Sequence, residues 1–433
     1  MARKMRDSGV EWIGEVPEGW EFLQLKRLAK FKGGVGFPPE MQGRKGESIR
    51  FIKVNSLASH IDPNREYDTI SQSDADSLQA KVFPKGTIVF AKVGAALLLH
   101  RFERLPFDSC IDNNMMGIFD VVANPDWLCY ALSLLDFNSL VNPGAVPSVN
   151  QSQVGSMRIP TPPLPEQRAI ADYLDEKCGA IDVAIAEAKK GIEEYKAWKI
   201  SLIDDIVCNG IDRHRHRKET GEVWLADIPI EWDFIQIRYL FALRDERNNK
   251  PLKDVNLISL YTDKGVVQHS DLEKTTGNKA STADGYKLVY KNDIVVNIIL
   301  CWMGAVGRSA YNGVTSPAYD VYRPIDSAKV LSRYYHYLFR TPRFNGKCYE
   351  EGRGIMMMRW RTYSSEFRAI KVPVPPFEEQ QAIADYLDEK CAAIDKMVAE
   401  KNALIADLEA YKKSLIYETV TGKREVASNS MVK

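Results

Sequence analysis

Two stretches of this 433-residue chain carry a long helical pattern, and the remainder alternates short apolar runs with turn residues. In the first long stretch, apolar or small residues recur at Leu174, Cys178, Ile181, Ile185, Ala188, Ile192, Tyr195, Leu202 and Ile206. In the second they recur at Leu387, Cys391, Ile394, Val398, Ile405, Leu408 and Leu415. Spacings of four and three predict a coiled-coil seam rather than a broad globular face. Lys199, Lys401 and Lys412 interrupt it. At 1.5 Å per residue, each predicted helix of about 45 residues is a rod of roughly 65 Å.

The two stretches are copies of one another. Residues 166–182 and 379–395 agree at fifteen of seventeen positions, at an offset of 213. A Pro-Pro pair precedes each copy, Pro162-Pro163 and Pro375-Pro376. Proline favours an extended entry and tolerates the first helical turn, where Glu166 and Glu379 then suit the positive end of the helix dipole. Further upstream, Trp12, Pro17 and Trp20 match Trp224, Pro229 and Trp232 at an offset of 212. The chain is a tandem duplication, and its period is far too long for a solenoid repeat.

Between the copies lie two segments of similar length and little similarity. Residues 28–160 predict strands at Phe51–Val54, Thr87–Val93 and Met116–Val122, then a helix over Trp127–Phe137. Residues 240–373 repeat the order, with strands at Asn256–Tyr261, Asp293–Leu300 and Tyr319–Tyr322 and a helix over Val330–Arg340. Both read as compact α/β units. The expected architecture is therefore α/β: two globular domains (residues 1–160 and 211–373) and two long helices (161–210 and 374–424), with a tail over 425–433. Pairing the helices with each other in antiparallel fashion gives a coiled coil and an internal pseudo-two-fold.

The formal net charge of zero conceals an uneven distribution. Lys and Arg against Asp and Glu number 18 and 18 over residues 1–160, 6 and 10 over 161–210, 26 and 19 over 211–373, and 8 and 11 over 374–433. The third segment stands at +7 (26 − 19), and the second and fourth together at −7 (−4 and −3). A basic patch of this kind is the electrostatic footprint of nucleic-acid binding. Its densest part holds Arg340, Arg343, Lys347, Arg353, Arg359 and Arg361, with Trp360, the run Met356–Met358 and a Gly-x-Gly loop at Gly352 and Gly354. Arginine forks suit both phosphates and guanine edges. The first segment offers Lys92, Arg101 and Arg104, with His100, near a glycine turn at Gly94. The tract from Arg213 to Lys218 reads as a solvated linker, and Cys178 and Cys391 as small seam residues.

Several chemistries lack their motifs. The seven cysteines show no Cys-x-x-Cys spacing, so no zinc site or disulfide framework is expected. No Gly-x4-Gly-Lys-Ser/Thr loop is present, and Pro375-Pro376-Phe377 lacks the polar residue that would begin an amino-methyltransferase motif. Asp-Glu-Lys at 175–177 and 388–390 sits on the coiled-coil helices and reads as a solvated face. No signal peptide is expected at the polar N-terminus. The longest apolar run, Ile294 to Gly307, is interrupted by Asn297 and is too short for a bilayer. The chain reads as a binder without catalytic or metal-ligating residues. A coiled-coil scaffold that binds only proteins is the alternative, and the +7 segment weighs against it.

The paired Pro-Pro-x-x-Glu-Gln motifs (Pro162 to Gln167, Pro375 to Gln380), the Ala-Asp-Tyr-Leu-Asp helices after them, and the duplicated Trp-x4-Pro-x2-Trp segments resemble the specificity subunits of Type I restriction–modification systems. The resemblance covers essentially the whole chain. It implies two target-recognition domains, each reading half of a bipartite site in double-stranded DNA. It also implies helices that set the spacing and dock two methyltransferase subunits, with Glu166, Gln167, Glu379 and Gln380 as docking candidates. Restriction–translocase subunits would complete the enzyme. S-adenosylmethionine, ATP and Mg would be used by those partners and none by this chain, and the compartment would be a bacterial or archaeal cytoplasm. DNA offers equivalent groove faces about every 34 Å, so half-sites about one helical turn apart are expected. The related systems that cut on both sides of their site share this pattern.

Overall fold

The computed structural model describes residues 3–10, 13–58, 60–135, 137, 146–269, 282–355 and 360–426. The chain forms two compact units: residues 1–187 with 404–433, and residues 188–403. Each unit contains one globular domain, the start of one long helix and the end of the other. The helices run Leu164–Asn209 and Phe377–Val420.

In the first unit, Lys30–Gly33, Met115–Phe119, Ile88–Ala91 and Phe102–Arg104 form a four-stranded antiparallel sheet in that spatial order. Ile88–Ala91 is buried at every position, as expected for a central strand covered on both faces. A second sheet places Ile49–Ile52 between Asp68–Ile70 and, in parallel, Ser109–Ile111. The helix Pro125–Ser133 packs Trp127, Leu128 and Leu132 into the core. Its N-cap, Asn124, accepts from Trp127 N at 2.8 Å, so the helix begins two residues before the predicted start.

The second unit repeats the arrangement. Phe241–Leu243, Tyr319–Pro324, Ile294–Asn297 and Val306–Arg308 form a sheet of the same strand order. The predicted strand Asp293–Leu300 ends early because the Asn297 carboxamide oxygen accepts from Ile299 N (3.0 Å) and Leu300 N (3.3 Å), turning the chain. The predicted helix Val330–Arg340 is found as Ser332–Leu338. A further helix, Pro342–Glu351, was not expected; Thr341 caps it by accepting from Phe344 N. The tract read as a linker is structured from Arg217, where Arg217–Glu222 pairs with Leu225–Pro229 in a hairpin.

The helical segments pair antiparallel within each unit. In the first unit Asp182 meets Lys412 (2.7 Å), while the earlier Tyr173 is beside the later Arg424. In the second, Gly191 lies against Lys401 and the later Lys199 meets the earlier Asp395 (2.6 Å). Leu174, Cys178, Ile181, Ile185 and Leu415 are buried in the first unit, with Ile405 at its edge. Ile192, Ile394, Leu387 and Cys391 are buried in the second. Leu202, Val398 and Leu408 are half-buried. Among the described residues, no helix is long and apolar enough to cross a membrane, and no group of three or more His, Cys, Asp or Glu could hold a metal ion.

Candidate DNA interface

The duplicated motifs build the attachment of each domain to its helices. Glu166 accepts from the Trp20 indole N–H at 2.9 Å and bridges Arg3 at 2.6 Å. Glu379 accepts from the Trp232 indole N–H at 3.0 Å and is gripped by both terminal nitrogens of Arg215. Arg3 and Arg215 correspond at the same offset as the two tryptophans, so they extend the repeat beyond the positions matched by sequence. Gly210 and Gly422 obey that offset too, at φ +79 and +76. Any Cβ on Gly422 would collide with Pro17 and Trp20, and one on Gly210 would crowd Glu379 and Trp232. Only glycine serves at both helix ends, because the backbone is left-handed and the indole is close.

Gln167 and Gln380 are buried. The Gln167 amide donates to Pro162 O (2.8 Å) and its oxygen accepts from Asn124 N (2.8 Å). Gln380 donates to Pro375 O and Lys329 O, each at 2.9 Å, and accepts from Leu331 N at 2.9 Å. Asn124 and Leu331 are the N-caps of the corresponding domain helices, so each glutamine ties a long helix to the start of a domain helix. The two glutamines are thus engaged inside the chain, at the junction of each long helix with its domain. The Asp-Glu-Lys segments are likewise engaged, since Asp175 accepts from Tyr130 OH (2.8 Å) and Asp388 from Tyr337 OH.

The cations singled out by sequence divide into two groups. Arg340 donates to the carbonyls of Asp263 (2.9 Å), Thr262 (3.0 Å), Val306 (3.0 Å) and Gly304 (3.4 Å). Its guanidinium is a clamp on two loops, and its burial lowers its pKa. Lys347 is buried among Glu351 (2.9 Å), Glu222 and Glu350 (both 3.2 Å). Burial alone would lower its pKa, but those three carboxylates raise it. Arg343 bridges Asp204 at 2.6 Å, and Arg104 bridges Asp126. All four are held by carbonyls or carboxylates of the chain.

The others fall on loops at the same place in both domains. In each, the fully buried central strand runs into a short 3-10 turn, Leu97–Leu99 or Cys301–Met303, closed by a left-handed residue, His100 or Gly304. A second loop lies against the first. Val149 N donates to Lys92 O at 3.0 Å in the first domain, and Thr362 N donates to Ile298 O at 2.9 Å in the second. Val149 and Thr362 correspond at the offset of the duplicated helices. Lys92 lies beside Asp112, and Arg101 donates to Leu57 O at 3.0 Å. In the second domain Arg353 pairs with Arg361 through both backbone N–H groups. The Arg353 side chain is 74% exposed while bridging Glu366 at 2.6 Å. Arg359 and Met356–Met358 lie outside the described residues. The loops combine cations, a left-handed turn and paired backbones.

Residues 17–190 and 229–406 each match the Type I restriction modification DNA specificity domain. Among curated relatives, the chain is 24% identical to the putative type I restriction enzyme MjaX specificity subunit of Methanocaldococcus jannaschii, over 96% of each chain. It is 20% identical to the type I restriction enzyme EcoKI specificity subunit of Escherichia coli K12, over 95% of this chain and 90% of that one. The fold is shared with the HsdS subunit of Thermoanaerobacter tengcongensis (TM-score 0.52, 15% identity, 94% and 98% covered). It is also shared with a chain from a structure addressing complex assembly and conformational transition of the type I R-M system (TM-score 0.66, 14% identity, 94% and 99% covered). The match over both copies of the duplicated domain places this chain in the Type I restriction–modification DNA specificity family, as a non-catalytic specificity subunit.

Proposed function

We propose that residues 1–160 and 211–373 are the two target-recognition domains and that each reads its half-site through the paired loops, Lys92–Arg101 with residues 146–149 and Ile298–Gly304 with Arg353–Ile355 and Trp360–Thr362. The observation that carries this reading is the repeated backbone bond, Val149 to Lys92 and Thr362 to Ile298, which supports the same two-loop surface in two domains of shared strand order and little sequence similarity. Equal placement with unequal residues is what two readers of unlike half-sites require. Lys92, Arg101, Arg353 and Arg361 are the cations of that surface, supplying phosphate and guanine contacts.

The long helices, 161–210 and 374–424, would set the spacing and dock two methyltransferase subunits. Trp198 and Tyr411 correspond in the repeat and are 51% and 52% exposed, an aromatic at the same position of each copy. Exposed aromatics are favoured anchors of protein interfaces, and a duplicated anchor suits two copies of one partner. Glu166 and Glu379 would contribute only from their exposed edges. S-adenosylmethionine, ATP and Mg would serve the methyltransferase and restriction–translocase partners, in a bacterial or archaeal cytoplasm.

The test is methylation-sensitive sequencing of a host carrying the partner methyltransferase and either the wild-type chain or Arg353→Ala/Arg361→Ala. The variant is expected to lose methylation, or to change bases, in one half-site only. Unchanged methylation at both half-sites would sink the loop assignment.

A further inference from the structure

The paired loops also expose apolar side chains, which a surface built only for phosphates does not need. In the first domain Leu98 and Leu99 (57% exposed) stand on the 3-10 turn, and Val146 is exposed on the neighbouring loop. In the second, Met303 stands exposed on the equivalent turn, and Ile355, 96% exposed, on the equivalent neighbour. Trp302, on that same turn, packs edge-on against Tyr349 at 5.5 Å, and Tyr349 stacks on Trp360 at 5.0 Å. Three linked rings therefore tie the turn to the neighbouring loop through Trp360. In the first, Leu97 is buried and the His100 ring lies 5.6 Å from Phe137, so that turn too is seated on a rigid base.

Exposed apolar residues on a firmly based tip, flanked by Lys92 and Arg101 or by Arg353 and Arg361, present a specific chemistry. The cations suit a polyanion, which a hydrophobic protein groove is not. Within duplex DNA, the apolar group that projects from a base edge into the major groove is the thymine C5-methyl.

Resting on the two-loop reading above, we infer that the apolar tips recognise thymine methyl groups, through Leu98 and Leu99 in one half-site and through Met303 and Ile355 in the other. Each half-site then contains at least one A·T pair read by its methyl. Different side chains at the same place let the two domains choose different positions for that pair.

The experiment uses the chain assembled with its partner methyltransferase and duplexes of the host target, found by methylation-sensitive sequencing. Each thymine is replaced in turn by deoxyuridine, which removes the methyl and nothing else, and the Kd is measured. Loss of one buried methyl corresponds to about a fourfold weaker Kd. The expected result is one such position in each half-site. Leu98→Ala/Leu99→Ala should abolish the deoxyuridine effect in one half-site only, and Met303→Ala/Ile355→Ala in the other. The inference is overturned if no deoxyuridine matters, if a half-site holds no A·T pair, or if these variants weaken methyltransferase association instead of DNA binding. Specific binding of the unmodified bipartite duplex by the same complex keeps the two-loop reading standing even then. Unchanged methylation at both half-sites in Arg353→Ala/Arg361→Ala is the separate failure of that reading.

Discussion

Gln380 shows how much one buried amide holds at the scale of a residue. Its three hydrogen bonds join the Pro375 and Lys329 carbonyls and the Leu331 N–H, all beneath the start of a long helix. Gln380→Leu keeps the volume but strands those backbone groups, and such losses cost about 1–3 kcal/mol. Urea unfolding should show a loss in that range, whereas substitution of an exposed helix residue such as Glu389 should stay within about 0.5 kcal/mol. His336 offers a pH test. Its Nδ1 accepts from Arg308 N at 3.2 Å, and burial, with Arg340 and Arg308 close by, pushes its pKa from 6.5 down to about 3, against a smaller opposing pull from Asp388. Below pH 6.5 the unfolded chain takes a proton that the folded chain refuses, so this residue's contribution is present above that pH and is lost as pH falls toward 3. His336→Gln should flatten the fall in urea midpoint between pH 6.5 and pH 4; an identical slope would refute the assignment. Such details were illegible in the sequence. Arg340 and Lys347 sat in a basic cluster that suggested DNA contact, yet Arg340 clamps loop carbonyls, and Lys347, on the helix that follows, sits among carboxylates. Linear counting sees the charge and not its partner. Arg3 and Gly422, by contrast, were within reach of the offset that revealed the tryptophans.

At the scale of elements, the long helices were legible because a period of three and four repeats over about 45 residues, which no strand can mimic. Strands of three or four residues carry too few positions for a period, and their ends shift with side-chain turns such as that of Asn297. The Arg217–Glu222 hairpin escaped notice because its composition is that of a linker, with Arg217 secured by Asp227. Two of the lysines that interrupt the seam pair across it. Lys412 meets Asp182 and Lys199 meets Asp395, and in the repeat Lys199 corresponds to Lys412 and Asp182 to Asp395. One contact has therefore been made twice with exchanged roles, as an isologous pairing demands. Because both pairs are partly exposed, each contributes about 0.2–1 kcal/mol. Lys199→Asp should lower the melting temperature slightly by opposing Asp395 with a like charge, and Lys199→Asp with Asp395→Lys should restore it. Failure of the double exchange to recover would show that the pair is incidental. Packing is worth more than charge here. Leu387 is fully buried within the second domain's core, so Leu387→Ala should cost about 2–5 kcal/mol, while half-buried Leu408→Ala should cost less.

At the scale of the whole molecule, duplication makes spacing an adjustable quantity. Each domain is bound to its own helix start through Glu166 and Gln167, or Glu379 and Gln380, and to a helix end at Gly422 or Gly210. These attachments lie toward the helix ends, so residues in the middle of each helix can be removed without touching them. Removal must keep the seam in phase, which requires whole heptads, and it must be matched in the antiparallel partner. Deleting 186–192 together with 399–405 meets both conditions, because Gly191 lies against Lys401 and each deletion spans one seam interval, Ile185 to Ile192 and Val398 to Ile405. Seven residues shorten a helix by about 10 Å. At about 3.4 Å per base pair the unread spacer should contract by about three base pairs. Methylation-sensitive sequencing should therefore return both half-sites unchanged and closer together. Contraction also rotates one half-site about the DNA axis by nearly a third of a turn, so the shortened chain will bind more weakly unless the duplex twists to compensate. Deleting either heptad alone leaves its partner's seam unopposed and should instead destabilise the coil. A double deletion that kept the original spacing, or lost one half-site while keeping the other, would show that something besides the helices measures the distance.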